Sequence, residues 1–230
     1  MPNTVTTPAR PEAPRSAPGA AKAMLAAALA ATLLAACGLG SRPYPLVRTF
    51  TLDPPAPDGI RLGGGKSPLS SLIVTAAPPP GAYEGKKLVY RLKSRELSAD
   101  FYNELSAPPA RAVADGIAKH LELTEPSILV VRSQGAQEPD WVLEIGLLDI
   151  YGDLTKEPMT AELTVTATLS DLRRSARRPV FARDFMKSLP AVQGPEETMA
   201  EALVRAYSEE VSQIAEELRP EIRRALLGRR

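Results

Sequence analysis

Alternation of apolar and polar positions is clearest between Thr160 and Asp171. There Ala161, Leu163, Val165, Ala167 and Leu169 fall on one side, and Glu162, Thr164, Thr166 and Thr168 on the other. A period of two predicts a half-buried strand. Asp140 to Leu154 reads as a long strand carrying Trp141, Leu143, Ile145 and Leu147 on one side, and Val180 to Leu189 as another after a turn at Arg173–Arg178. Together they predict a three-stranded antiparallel meander. Upstream, Phe50 and Leu52 alternate within Arg48–Asp53, Ser71–Ala76 is a short apolar strand cut off by Pro78–Pro80, Leu88, Tyr90 and Leu92 alternate within Lys87–Lys93, and Ile128–Arg132 is a further strand. Two segments change period. Pro108–Pro109 follows Ser106 and opens a helix whose Val113, Ile117 and Leu121 repeat at spacing four, ending before Pro126. A long helix opens at Gly194–Pro195, with Met199, Leu203, Tyr207, Val211, Ile214 and Leu218 as its stripe and Pro220 expected to end or kink it. Two amphipathic helices can cover only one face of a sheet. The predicted fold is therefore α+β, a two-layer sandwich with a mostly antiparallel or mixed sheet and both helices on one face.

The N-terminal region follows a different pattern. Residues 1–21 are rich in Pro, Ala, Thr and Ser, with Arg10 and Arg15 against a single Glu12. Lys22 then precedes an apolar run, Ala23 to Ala36. That run is too short to span about 30 Å of hydrocarbon, which takes roughly 20 helical residues. A basic start, a short apolar stretch and small residues at its end predict a secretory signal peptide over residues 1–36. Its end, Leu34-Ala35-Ala36-Cys37, resembles a bacterial lipobox, in which the cysteine sulfur takes a diacylglycerol and cleavage leaves Cys37 first. Cys37 is the chain's sole cysteine. Acyl chains contribute about 0.8 kcal/mol per buried methylene, so two or three of them hold a protein firmly to a membrane. Gly38 stands where aspartate favours inner-membrane retention in enteric bacteria, which points to the outer membrane over the inner. Residues 37–47 then form a tether and residues 48–227 one domain.

Composition narrows the chemistry. Lys and Arg number 28 against 27 Asp and Glu, and the pI is near 7.8. The balance leaves no electrostatic footprint for nucleic acid. One histidine cannot build a multi-histidine metal centre. Of 23 prolines, 14 lie in the first 80 residues, so the front third cannot be mostly regular structure. The loop DGIRLGGGKS only brushes a phosphate-binding pattern. Gly59 is one position out of register, and prolines flank the loop where a strand and a helix belong. His120, at the end of the first helix, has no oriented nucleophile in the sequence to serve. Asp149 and Asp153 flank Tyr151 and form the one pair of carboxylates suited to acid–base work, while Glu196–Glu197 and Glu209–Glu210 read as a solvated helix face. Arg173, Arg174, Arg177 and Arg178 cluster at a hairpin tip; the favoured reading is a solvated turn, the other a contact with anionic headgroups.

With those residues laid out, the chain resembles the ABC-type transport auxiliary lipoprotein family, the lipoprotein partners of MCE (mammalian cell entry) lipid transporters, including that of the paraquat-inducible (Pqi) system. The match runs from roughly Arg48 to Ile222. Phe50-Thr51-Leu52 takes the place of the family's aromatic-x-Leu, a dozen residues after the lipid cysteine, and Leu72-Ile73-Val74 with Pro78 that of its second strand and proline loop. Leu88-Val89-Tyr90-Arg91, Ser106-Ala107-Pro108-Pro109 with its helix, and the closing helix from Leu203 to Leu218 follow in the family's order. Near Tyr102-Asn103-Glu104-Leu105 the family commonly has a tryptophan followed by a small residue; Tyr102 in its place is a departure. The resemblance implies a non-enzymatic auxiliary component without catalytic, cofactor or metal residues. It would be anchored at the periplasmic face of the outer membrane through Cys37, and would serve an MCE-domain protein with its permease and ATPase in moving phospholipid or another hydrophobic molecule. It leaves room for a homo-oligomer. The alternatives are an outer-membrane assembly lipoprotein for lipopolysaccharide or barrel proteins, and a periplasmic hydrolase using Asp149, Asp153 and His120. The expected partner surfaces are the uncovered sheet face around Thr164, Thr166 and Thr168 and the proline-rich loops.

Overall fold

The computed structural model describes residues 46–56, 68–93, 95–131, 138–173 and 177–227. The expected signal peptide, Cys37 and its lipobox (Leu34, Ala35, Ala36), the DGIRLGGGK stretch and Arg174 lie outside the described residues.

Eight strands form one mixed sheet: β1 (Arg48–Phe50), β2 (Ser70–Ala76), β3 (Lys87–Arg91), β4 (Leu97–Leu105), β5 (Ile128–Val131), β6 (Trp141–Asp153), β7 (Thr160–Asp171) and β8 (Arg178–Pro190). Helix α1 (Pro109–Thr124) stands between β4 and β5, and α2 (Met199–Leu227) closes the chain. Helix α1 packs on β2, β5 and β6, and α2 on β7 and β8, so both helices lie on one face of an α+β two-layer sandwich.

β6 organises the sheet. One of its edges pairs antiparallel with β7 from Trp141↔Asp171 to Asp153↔Thr160. Its other edge is shared: β2 pairs in parallel with its first half, Leu72↔Trp141 to Ala76↔Ile145, and β3 with its far end, Tyr90↔Gly152 and Arg91↔Asp153. Beyond β2 lies β5, and beyond β3 lie β4 and β1. The register against β7 shifts between Leu147 and Asp149. A bulge there adds one residue and exchanges the faces. Trp141, Leu143, Ile145 and Leu147 point into the core before it, Ile150 and Gly152 after it, and Leu148 and Asp149 are left exposed.

β7 has the predicted bounds, with all five of its alternating apolar residues fully buried. β4 was not legible in the sequence, and β1 stops at Phe50, short of the expected Asp53. The long helix begins at Met199, after the expected Gly194. Thr198 and Glu201 form a capping box there: the Thr198 backbone N–H donates to Glu201 Oε2 at 2.7 Å, and the Glu201 N–H to Thr198 Oγ1 at 3.4 Å. Pro220 does not end the helix. Leu218, Ile222, Ala225 and Leu226 are buried on both sides of it, and that continuous stripe outweighs the roughly 3 kcal/mol an interior proline costs. The helices meet closely at Gly116, where a Cβ would lie 2.9 Å from Val211 Cγ1 and 3.1 Å from Pro54 Cγ.

Candidate functional site

The three side chains that the sequence offered for acid–base chemistry, His120, Asp149 and Asp153, each have a structural partner. His120 is buried between the helices, its Nε2 2.8 Å from Glu216 Oε1 and its Nδ1 3.5 Å from Ser212 Oγ, both on α2. The bulge in β6 separates the two aspartates. Asp149 is exposed and accepts a hydrogen bond from the Tyr83 hydroxyl at 3.1 Å. Asp153 is fully buried, ion-paired with Arg91, and accepts the Thr155 N–H at 3.0 Å and Oγ1–H at 2.7 Å. Burial alone would raise its carboxyl, but the bonds from Arg91 and Thr155 outweigh it and hold the group at about 2. A carboxylate locked in its ionised form cannot shuttle protons near neutrality.

The arginine cluster is partly absorbed too. Arg173 pairs with Asp171 at 2.9 Å and lies over the Trp141 ring at 4.6 Å, while Arg177 reaches Glu144 at 3.1 Å across the sheet. Arg178 is exposed. On the uncovered face, Thr164, Thr166 and Thr168 are half-buried within a polar ladder. Thr166 donates to Asp184 at 2.5 Å, and Lys156 and Ser188 both donate to Glu162, at 2.5 and 2.9 Å.

One helix position corrects the sequence reading. Glu209 is exposed as expected, but Glu210 is fully buried and neither carboxyl oxygen has a hydrogen-bond partner. Burial pushes its carboxyl up to about 8; Glu162 adds to the rise and Lys187 opposes it. The signal was present, since Leu203, Tyr207, Glu210 and Ile214 follow at spacings of four, three and four, which places Glu210 on the apolar stripe.

Two clefts open beside α2. One of about 510 Å³ runs between the segment after β1 and the helix, lined by Phe50, Thr51, Asp53, Val204, Arg205 and Ser208 among others. The second, about 380 Å³, lies where β1, β3 and β4 reach the start of α2, and Arg48, Tyr90, Asp100, Tyr102, Leu154 and Met199 line it. The second is shaped by an irregularity in β4. Val89 pairs with Ala99 and Lys87 with Glu104, so residues 100–103 bulge out of the ladder. The Asp100 carboxylate ties the bulge together, accepting the backbone N–H groups of Tyr102 (2.8 Å) and Asn103 (3.1 Å), the Asn103 amide (2.9 Å) and the Tyr90 hydroxyl (3.2 Å). Phe101 and Tyr102 stand at its tip, their ring centroids 6.0 Å apart. Arg48, opposite Asn103 in the parallel pairing of β1 with β4, pairs with Glu201 and donates to Thr198 Oγ1 at 3.1 Å. The N-terminal strand is thus fastened to the start of α2.

Among the described residues no group of three or more His, Cys, Asp or Glu is placed to hold a metal ion, and no helix is long and apolar enough to cross a membrane. The arrangement offers surfaces and shallow clefts, lined by side chains already held by neighbours.

The fold is shared with solved structures. It is similar to that of protein XCC0632 from Xanthomonas campestris, a DUF330 protein, at 19% identity and a TM-score of 0.55 over 79% of this chain and 95% of that one. It is also similar to an uncharacterized protein, at 15% identity and a TM-score of 0.52, covering 75% and 99% of the two chains. No curated protein matches the chain. The model of the ABC-type transport auxiliary lipoprotein component family matches residues 50–218, from the end of β1 to the buried Leu218 of α2, and the chain belongs to that family.

Proposed function

We propose that this chain is a periplasmic lipoprotein, lipidated at Cys37 and anchored at the inner face of the outer membrane, that serves an MCE-type ABC transporter as a non-enzymatic auxiliary component. The transporter's MCE-domain protein, permease and ATPase are other chains, and the cargo is phospholipid or another hydrophobic molecule. The observation that carries the reading is the family match over residues 50–218 downstream of the Leu34–Cys37 lipobox. The geometry agrees with a non-enzymatic role. His120 and Asp153 are tied into packing and Asp149 into a surface hydrogen bond. What the domain presents is a rigid sheet with shallow clefts, suited to holding a partner in place.

The test is the state and place of the native protein. The reading predicts an intact mass starting at Cys37 with diacylglycerol and acyl chains attached, and recovery in the outer-membrane fraction of a density gradient. Cys37→Ala should release the protein and reproduce the transport defect of a deletion. A Cys37→Ala protein that stays membrane-bound and fully supports transport would contradict the reading. So would loss of transport on substituting Asp149, Asp153 and His120 in a protein that remains folded and anchored.

A further inference from the structure

Exposed apolar side chains are concentrated at one corner of the domain. Of the twelve large ones exposed among the described residues, seven (Leu46, Val47, Leu97, Phe101, Tyr102, Leu154 and Met199) lie on or beside the elements that meet at the smaller cleft. Phe101 is 69% exposed and Tyr102 50%, although they are adjacent members of a residue class that makes up only 5% of the chain. They are not frayed: the Asp100 carboxylate accepts the backbone N–H groups of Tyr102 and Asn103 and is itself held by the Asn103 amide and the Tyr90 hydroxyl. The bulge therefore holds two aromatic rings out into solvent at a standing hydrophobic cost, and such a patch marks an interaction site. The Lys87 ammonium sits 4.3 Å over the Phe101 ring, with Lys86 exposed beside it. The carboxylates of the corner are largely engaged: Asp100 in the bulge and Glu201 by Arg48 and Thr198. Glu104 lies opposite Lys87 in the ladder.

The chain itself names the occupant. Leu46, 89% exposed, and Val47 lead directly into β1, whose residues pair with Asn103, Glu104 and Leu105 of β4. Cys37 precedes Leu46 by nine residues, a leash of at most about 32 Å when fully extended. A lipid on Cys37 keeps this corner within about 32 Å of the bilayer. Aromatic rings with flanking lysines are the side chains that settle at a headgroup–acyl boundary, the ring in the apolar layer and the ammonium reaching outward. We propose that the Phe101–Tyr102 corner docks onto the phospholipid surface of the membrane that carries the anchor, fixing the domain's orientation on it. The inference rests on lipidation of Cys37 and adds a second contact to that reading. A single lipid attachment leaves the domain free to swivel; a second, apolar contact turns a leash into a mount. The β8 edge, at the far end of the sheet from β1 and β4, would then point away from the bilayer in a fixed direction.

The experiment uses the full-length, lipidated protein in phosphatidylethanolamine–phosphatidylglycerol vesicles (3:1), with and without phospholipid brominated in the acyl chains. Phe101→Trp reports on the corner. Met186→Trp reports on β8, where Met186 is 78% exposed. Trp141, fully buried, is a background common to both. The proposal predicts that both proteins float with the vesicles and that brominated lipid quenches most of the fluorescence added at position 101 and none of that added at 186. Flotation without quenching at 101 overturns the docking surface while leaving the anchor intact, and would mean that the aromatic corner faces a protein. Equal quenching at the two positions also overturns it, since the domain would have no fixed face toward the lipid. Failure to float removes the anchor and the docking surface together.

Discussion

In the β6–β7–β8 meander each strand runs antiparallel to the next along almost its whole length, and the inward side chains of β6 and β7 are buried against the helices. The β1–β4–β3 arm is built otherwise. β1 is three residues long and pairs in parallel with a strand distant in sequence. β4 leaves its ladder for residues 100–103, and its outward side chains include exposed aromatics. The first region buries one whole side of β6 and β7; the second gives up packing to present a corner. The comparison separates scaffold from surface. Substitutions in the meander should be felt as stability, and substitutions in the arm as attachment.

The largest effect should come from the meander. Leu163→Ala removes a fully buried side chain from the β7 face that packs on α2, and is expected to cost about 3 kcal/mol by transfer and cavity terms together. The urea midpoint of the purified protein reads it. A loss below about 1 kcal/mol would show the core to be far more plastic than its burial implies.

Next comes the junction between the two regions, where Arg91 of β3 meets Asp153 at the end of β6. Arg91→Met leaves Asp153 buried with its Thr155 bonds and the Lys156 ammonium 3.9 Å away, and because Arg91 is itself partly exposed the expected cost is about 2 kcal/mol at neutral pH. The sign of its pH dependence follows from the lowered carboxyl. The unfolded group titrates near 3.8 and the folded one near 2. Asp153 therefore contributes stability that is present above pH 3.8 and is lost as pH falls through 2. In the variant that acid limb should flatten, as denaturation curves from pH 7 down to pH 2 would record.

Glu210 runs the other way. Its unfolded carboxyl titrates near 4.5 and its folded one at about 8. The folded state holds the extra proton across that window, so this group's contribution is fully present below pH 4.5 and declines as pH rises to 8. Glu210→Met is expected to stabilise the protein by about 1 to 2 kcal/mol at pH 8 and by less at pH 5. A variant destabilised equally at both pH values would mean that the carboxyl makes a bond essential to the α2–sheet contact.

The smallest stability effect belongs to the arm. Phe101→Ser touches no core contact and should stay within about 0.5 kcal/mol of the parent, while changing how the lipidated protein sits on vesicles. A large loss of stability here would erase the distinction between scaffold and surface.

The same contrast explains what the sequence showed. β7 and α1 were legible because local periodicity and proline placement act within a few residues. β4 was not, because its bulge breaks the period that would have revealed it and its partners lie far along the chain. The cap at Thr198–Glu201 and the stripe position of Glu210 were both readable, but a proline at 195 and a doublet of glutamates suggested a simpler pattern. The expectation that Pro220 ends or kinks the helix overweighted one backbone bond as far as the ending goes, against the buried residues on either side. The proposed lipobox rests on a short motif alone, whereas the exposure of Phe101 and Tyr102 depends on tertiary pairing and had no signal in the sequence.

The central claim is tested most directly by purifying the full-length, Cys37-intact protein from its native membrane in mild detergent and identifying the proteins and lipids that accompany it by mass spectrometry. The account predicts an MCE-domain protein with its permease and ATPase. Recovery of barrel-assembly or lipopolysaccharide-export components with no MCE protein would contradict it.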